Sequence, residues 1–130
     1  MKEIIYDGQA CRQGTRNVPA VTFNRKSGRI AVSKDAAALL GNPSSVVVIR
    51  DAEHPTDWFI RPAKVGYVFN VYEARRSTSR VFFDRRLAGD VIGSFAVPET
   101  SIRMGLAVEP DDEGRYALLY WKYADKGGAR

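Results

Sequence analysis

The residues of this chain best suited to chemistry are its cations. From Thr22 to Lys34 the sequence holds Arg25, Lys26, Arg29 and Lys34 with no acid. From Arg75 to Arg86 it holds Arg75, Arg76, Arg80, Arg85 and Arg86 against Asp84 alone. Lysine and arginine neutralise phosphates, and an arginine fork also matches the O6 and N7 acceptors of guanine in the major groove. Thr22 and Asn24, at outward strand positions, add polar contacts. These cations are the candidate nucleic-acid contacts, with Lys34, Arg85 and Arg86 as outer support, and double-stranded DNA is the expected partner. The plain alternative is a solvated basic face, since a net charge of +5 over 130 residues is moderate.

Side chains for catalysis are scarce. The one cysteine, Cys11, excludes an intramolecular disulfide and any Cys-cluster zinc site, and the one histidine, His54, excludes multi-histidine metal sites. Cys11 lies in a polar stretch and His54 sits beside Pro55, so a surface thiol and a loop imidazole are the simpler readings. The glycines are too scattered to form a phosphate-cradling loop, and Glu109 to Glu113 lacks the twelve-residue calcium pattern. Asp84, beside Arg85 and Arg86, reads as a helix N-cap rather than an acid–base group. The chain is therefore expected to be no enzyme and to need no cofactor or metal. Trp58, Phe59, Tyr116, Tyr120 and Trp121 resemble a base-stacking platform, but aromatics alternating along a strand are better read as core.

These residues need a frame, and the composition is that of one folded, basic domain with a single core. No apolar run approaches the roughly 18 residues of a membrane helix, and no apolar signal follows Met1, which predicts a cytoplasmic protein with no membrane partner. Within the chain, Gly28 to Gly41 can be set above Ser79 to Gly93. Arg29 falls on Arg80 and Ser33 on Asp84, with the second copy one residue longer. Ile30 and Val32 alternate with polar or small residues, and Val81 and Phe83 take the same places, so each stretch predicts a half-buried strand with those residues inward. Ser33 and Asp84 then cap short helices, whose apolar faces are Ala36, Leu39, Leu40 and Leu87, Ala88, Val91, Ile92. Gly41 and Gly93 stand where a left-handed residue ends a helix.

The correspondence extends both ways. Val21 to Asn24 matches Phe69 to Tyr72 as preceding strands, joined to the next by polar tips at Arg25–Gly28 and Glu73–Ser79. Ser45 to Arg50 matches Ser101 to Val108, and Trp58 to Arg61 matches Tyr116 to Trp121. Pro62 to Gly66 is too short a linker to separate domains.

The run Phe23-Asn-Arg-Lys-Ser-Gly-Arg-Ile-Ala-Val-Ser-Lys34, with Leu39-Leu-Gly41 and the Val-rich strand after it, resembles the swapped-hairpin domain of AbrB-like regulators and antitoxins. The resemblance covers residues 20–61 and, more weakly, 67–121. Ser33 stands where that family has proline, and no glycine precedes Arg80. It implies small dimers whose interleaved hairpins form one DNA-binding barrel, here fused into one chain.

The expected fold is α+β, mostly β: a compact barrel-like domain over residues 1–124, built from strand-strand-helix-strand-strand repeats at 20–61 and 67–121, with a disordered tail at 125–130. The expected function is DNA binding, as a regulator or antitoxin-like protein, by a monomer or simple dimer with both basic tips on one side. The alternative is a protein-interaction or assembly module using the same barrel as scaffold; an enzyme working in the crevice between the halves ranks third.

Overall fold

The computed structural model describes residues 19–70 and 79–120. Cys11, Arg75, Arg76, Trp121 and the tail from Asp125 lie outside the described residues. In chain order the elements are β1 (Ala20–Asn24), β2 (Arg29–Val32), α1 (Lys34–Leu39), β3 (Ser45–Arg50), β4 (Trp58–Pro62), β5 (Tyr67–Val68), β6 (Arg80–Phe83), α2 (Arg85–Ser94), β7 (Ser101–Leu106) and β8 (Tyr116–Leu119). None of the described helices is long and apolar enough to cross a membrane.

Local chemistry sets the boundaries. Ser33 Oγ accepts from Ala36 N at 3.2 Å to cap α1, and it also accepts from Ala20 N at 3.1 Å, tying the helix start to β1. The helix closes at Leu40, and Gly41 follows at φ +84°. Asp84 caps α2 in the same way through Leu87 N. Gly93 does not end that helix: α2 runs to Ser94, Phe95 is its C-cap, and Ala96 takes the left-handed conformation at φ +54°. Ser94 Oγ donates to Val91 O and accepts from Trp58 Nε1, which binds the last turn to β4.

All strand pairs are antiparallel, in one sheet ordered β5-β3-β4-β8-β7-β1-β2-β6. The sheet's two ends approach each other: Asn70 N donates to Val81 O, and the Tyr67 ring stacks on Phe82 with centroids 4.5 Å apart. The result is a nearly closed barrel. Around it the hairpins interleave, β1-β2, then β6 and β5, then β3-β4, then β8-β7. Phe23, Ile30, Ile60, Ile92 and Met104 are fully buried in its core, together with Val21, Val32 and Val46. Each such side chain contributes roughly 1.5–3 kcal/mol by leaving water. Helix α2 lays Ala88, Val91 and Ile92 against this core and packs on β1 and β2.

Three expectations change. Strand β5 is Tyr67–Val68, ahead of the expected Phe69–Tyr72, of which Val71 and Tyr72 lie outside the described residues, and β7 stops at Leu106. In β6, Val81 is fully buried as expected, but Phe83 is not. Ile30 pairs with Phe82, and both join the core, whereas Arg29 pairs with Phe83, which is 48% exposed. Directly paired residues point to the same side of a sheet, so Phe82 rather than Phe83 is inward. The packing of Phe82 at the barrel seam, stacked on Tyr67 and tilted against Phe69, accounts for the choice.

Candidate nucleic-acid interface

The turn after β1 is built by Asn24, whose Oδ1 accepts from Lys26 N at 2.9 Å and Ser27 N at 3.0 Å, while its carbonyl accepts from Gly28 N. Gly28 is required at the close of this turn. Its φ is +80°, and a Cβ there would lie 2.8 Å from Arg85 N. Asp84 N donates to Gly28 O at 2.9 Å, so the turn is clamped against the start of α2. Arg25, Lys26 and Arg29 thus share one rim of the barrel with Arg85 and Arg86. Lys26, Arg85 and Arg86 are exposed and Arg25 and Arg29 half-buried. Arg25 is held by donation from Nη2 to Pro98 O at 2.7 Å.

The electrostatics of this rim run against helix stability. The N-terminal end of a helix carries a partial positive charge, and α2 has no acid in its first turn but opens with Arg85 and Arg86. Asp84, the N-cap, offsets part of that charge. Its carboxyl is held below the usual carboxylate range by the Tyr67 hydroxyl and the amide of Leu87. Each carboxylate oxygen accepts one of these bonds, and Arg85 and Arg86 are both exposed.

The remaining cations lie elsewhere. Strand β6 runs antiparallel to β2, with Arg80 opposite Val32 and Phe83 opposite Arg29. The chain therefore enters β6 at the end of β2 remote from the Arg25–Gly28 turn, about 10 Å away at the rise of a strand. Arg80 meets Lys34 there, at the lip of a recess also lined by Asn42. Among the described residues the cations divide between the two ends of the β2–β6 ladder; of the second expected tip, Glu73–Ser79, only Ser79 is described. Arg75 and Arg76 lie outside the described residues.

Sequence reasoning missed Arg103. It is exposed and pairs with Thr22, which pairs in turn with Ala31, so Arg103 stands on the outer face of the four strands β7, β1, β2 and β6. Inward Ile102 and Met104 already implied this placement. Arg29 and Phe83 share that outer face.

Other chemical candidates resolve into structure. Trp58 and Tyr120 are buried in the core, and Phe59 lies half-buried beneath the Arg115 guanidinium at 4.7 Å. Asp111 is occupied by Arg115 and by the amides of Glu113 and Arg115. Asp51, His54 and Asp57 bring one ligand atom each within 4.8 Å of the others. Asp51, however, accepts from the Glu53 and His54 amides and contacts His54 Nδ1 at 3.2 Å, which explains the cluster as a loop-closing network.

No protein-family model matches the chain, and comparisons with curated proteins and with solved structures find no match. The likeness to AbrB-like regulators rests on the residues quoted for it.

Proposed function

We propose that the protein is a non-enzymatic DNA-binding regulator that contacts phosphates through the rim formed by Arg25, Lys26, Arg29, Arg85 and Arg86, with Arg103 extending the contact over the outer sheet face. The observation that carries this reading is the pair of arginines opening α2. They oppose the helix dipole, they face solvent, and the Gly28 clamp brings three further cations beside them. A local rule of stability is broken where an anion would relieve it. The outer sheet face presents Thr22 and Asn24 alongside.

An internal duplication of a swapped-hairpin unit is part of the same proposal. Exchanging the two sets of strands, β1 through β4 with β5 through β8, leaves the order around the closed barrel unchanged, as it would in a fused two-fold dimer.

The test is binding to duplex DNA at several salt concentrations, comparing the wild type with a Lys26→Ala, Arg85→Ala, Arg86→Ala variant. These side chains are exposed and outside the core cluster, so the variant is expected to fold. Salt-steep binding is expected for the wild type, with the log–log slope reduced by about 0.9 for each phosphate contact removed. Absence of salt-sensitive binding at low ionic strength overturns the proposal.

A second reading, an assembly module, is favoured by Val65, 87% exposed just before the short strand β5, and by Val68, 70% exposed within it. Retained capture of a protein partner by the triple variant, with no DNA binding by the wild type, selects it.

A further inference from the structure

We propose that the end of the barrel around Arg80 is a binding site for a small organic anion, one with a carboxylate or phosphate head and an apolar body. The site is distinct from the basic rim at the other end of β2. Arg80 is the first residue of β6 and pairs with Val32, which is fully buried, so its position belongs to the inner face of the sheet at the barrel's end. Two recesses meet at this residue. One, of about 320 Å³, is lined by Lys34, Ala37, Ala38, Asn42 and Arg80. The other, of about 370 Å³, brings Val68, Phe69 and Asn70 to the same Asn42 and Arg80.

The chemistry of this lining is selective. Among the described residues Arg80 and Lys34 make no ion pair or side-chain hydrogen bond, and the two cations share one concave surface. A planar guanidinium presents two parallel N–H groups to a carboxylate or phosphate, and an ammonium adds a point charge with adaptable donors. Asn42 is held at φ +50° by donation of its amide to Ala37 O at 2.8 Å. That left-handed residue is the second irregularity of the α1–β3 connection, after Gly41, and it fixes a polar side chain on both recesses. Ala37, Ala38 and Phe69 supply apolar wall. A mostly apolar recess of this size with a few convergent polar groups is the usual form of a small-molecule site. The apolar wall separates an organic anion from free phosphate, which gains nothing from it.

The site is tested with the whole protein by following backbone amide resonances during titration with benzoate, adenosine monophosphate and inorganic phosphate at fixed ionic strength. Saturable shifts at Lys34, Ala38 and Asn42 are expected with at least one organic anion, about tenfold tighter than with inorganic phosphate. Arg80→Gln is expected to weaken that binding by about tenfold or more, the size of a lost charge-assisted bidentate contact. Lys34→Gln, on an exposed helix position, is expected to weaken it severalfold while leaving the spectrum otherwise intact, which keeps the test decisive if Arg80→Gln perturbs folding. The Arg85→Ala, Arg86→Ala variant retains anion binding, so the outcome is independent of the DNA contact. Equal affinity for inorganic phosphate and the organic anions, no saturable shift with either organic anion, or unchanged binding in Lys34→Gln overturns the proposal.

Discussion

The Tyr67 hydroxyl donates a 2.5 Å hydrogen bond to Asp84 Oδ2, while Oδ1 of the same carboxylate accepts from Leu87 N at 3.0 Å. One side chain therefore caps α2 and ties that cap to β5 across the seam of the barrel. Asp84→Ala is expected to destabilise the fold by about 2 kcal/mol, combining a lost N-cap with a stranded tyrosine hydroxyl. Tyr67→Phe removes only the seam bond, and its expected cost is about 1 kcal/mol. Urea denaturation of the two variants checks the order; equal costs would show that the seam bond carries the whole effect.

The same pair sets the response to pH. Burial, with the adjacent Asp84 carboxylate, pushes the Tyr67 hydroxyl up to about 12 from its usual 10. The folded state then holds its proton where the unfolded state loses it, so this contribution is whole below pH 10 and is lost as pH rises from 10 towards 12. Asp84 has the opposite sense. Its carboxyl is lowered by Tyr67 and the Leu87 amide, so its contribution is present above about pH 4 and is lost as pH falls through the lowered value. Thermal melts should show a smaller alkaline loss in Tyr67→Phe than in the wild type.

The facing of β6 gives a contrast between adjacent phenylalanines. Phe82→Ala is expected to cost about 3–5 kcal/mol because it empties a core site packed by Ile30 and Tyr67. Phe83→Ala should fall within about 0.5 kcal/mol of the wild type, since half of that side chain is already in water. Comparable losses in both would place the strand in the other register.

Two glycines predict changes of opposite sign. Gly28→Ala combines a positive φ with a Cβ 2.8 Å from the Arg85 backbone, and about 2 kcal/mol or more of destabilisation is expected. Gly89 lies inside α2 with nothing within 4 Å of a Cβ, so Gly89→Ala is expected to stabilise by up to about 1 kcal/mol. Chemical denaturation measures both, and a neutral Gly28→Ala would remove the clamp between turn and helix.

Much of the fold was legible because local rules write it directly. The Asn24 turn, the Ser33 and Asp84 caps, Gly41 after α1 and the alternation of Ile102 and Met104 each depend on near neighbours in sequence. What failed depends on distant partners. The choice between Phe82 and Phe83 is made by Tyr67 and Phe69 at the seam, and the end of α2 by Trp58 reaching Ser94. The cations were identified as residues but not as groups. Their division follows from the antiparallel pairing of β2 with β6, for which neither strand carries a local signal.

The interleaving of hairpins also governs how the chain reaches its native state. Strand β1 lies between β2, its immediate successor, and β7, the seventh of the eight described strands in chain order; β4 likewise waits for β8. A nascent chain that has emerged only as far as β4 holds two hairpins with open edges and half a core. Contacts so distant in sequence slow folding, because loop closure must precede the burial that rewards it. Until the C-terminal strands arrive, those edges remain available to matching strands of a second chain, and intermolecular exchange becomes the natural misassembly of this topology.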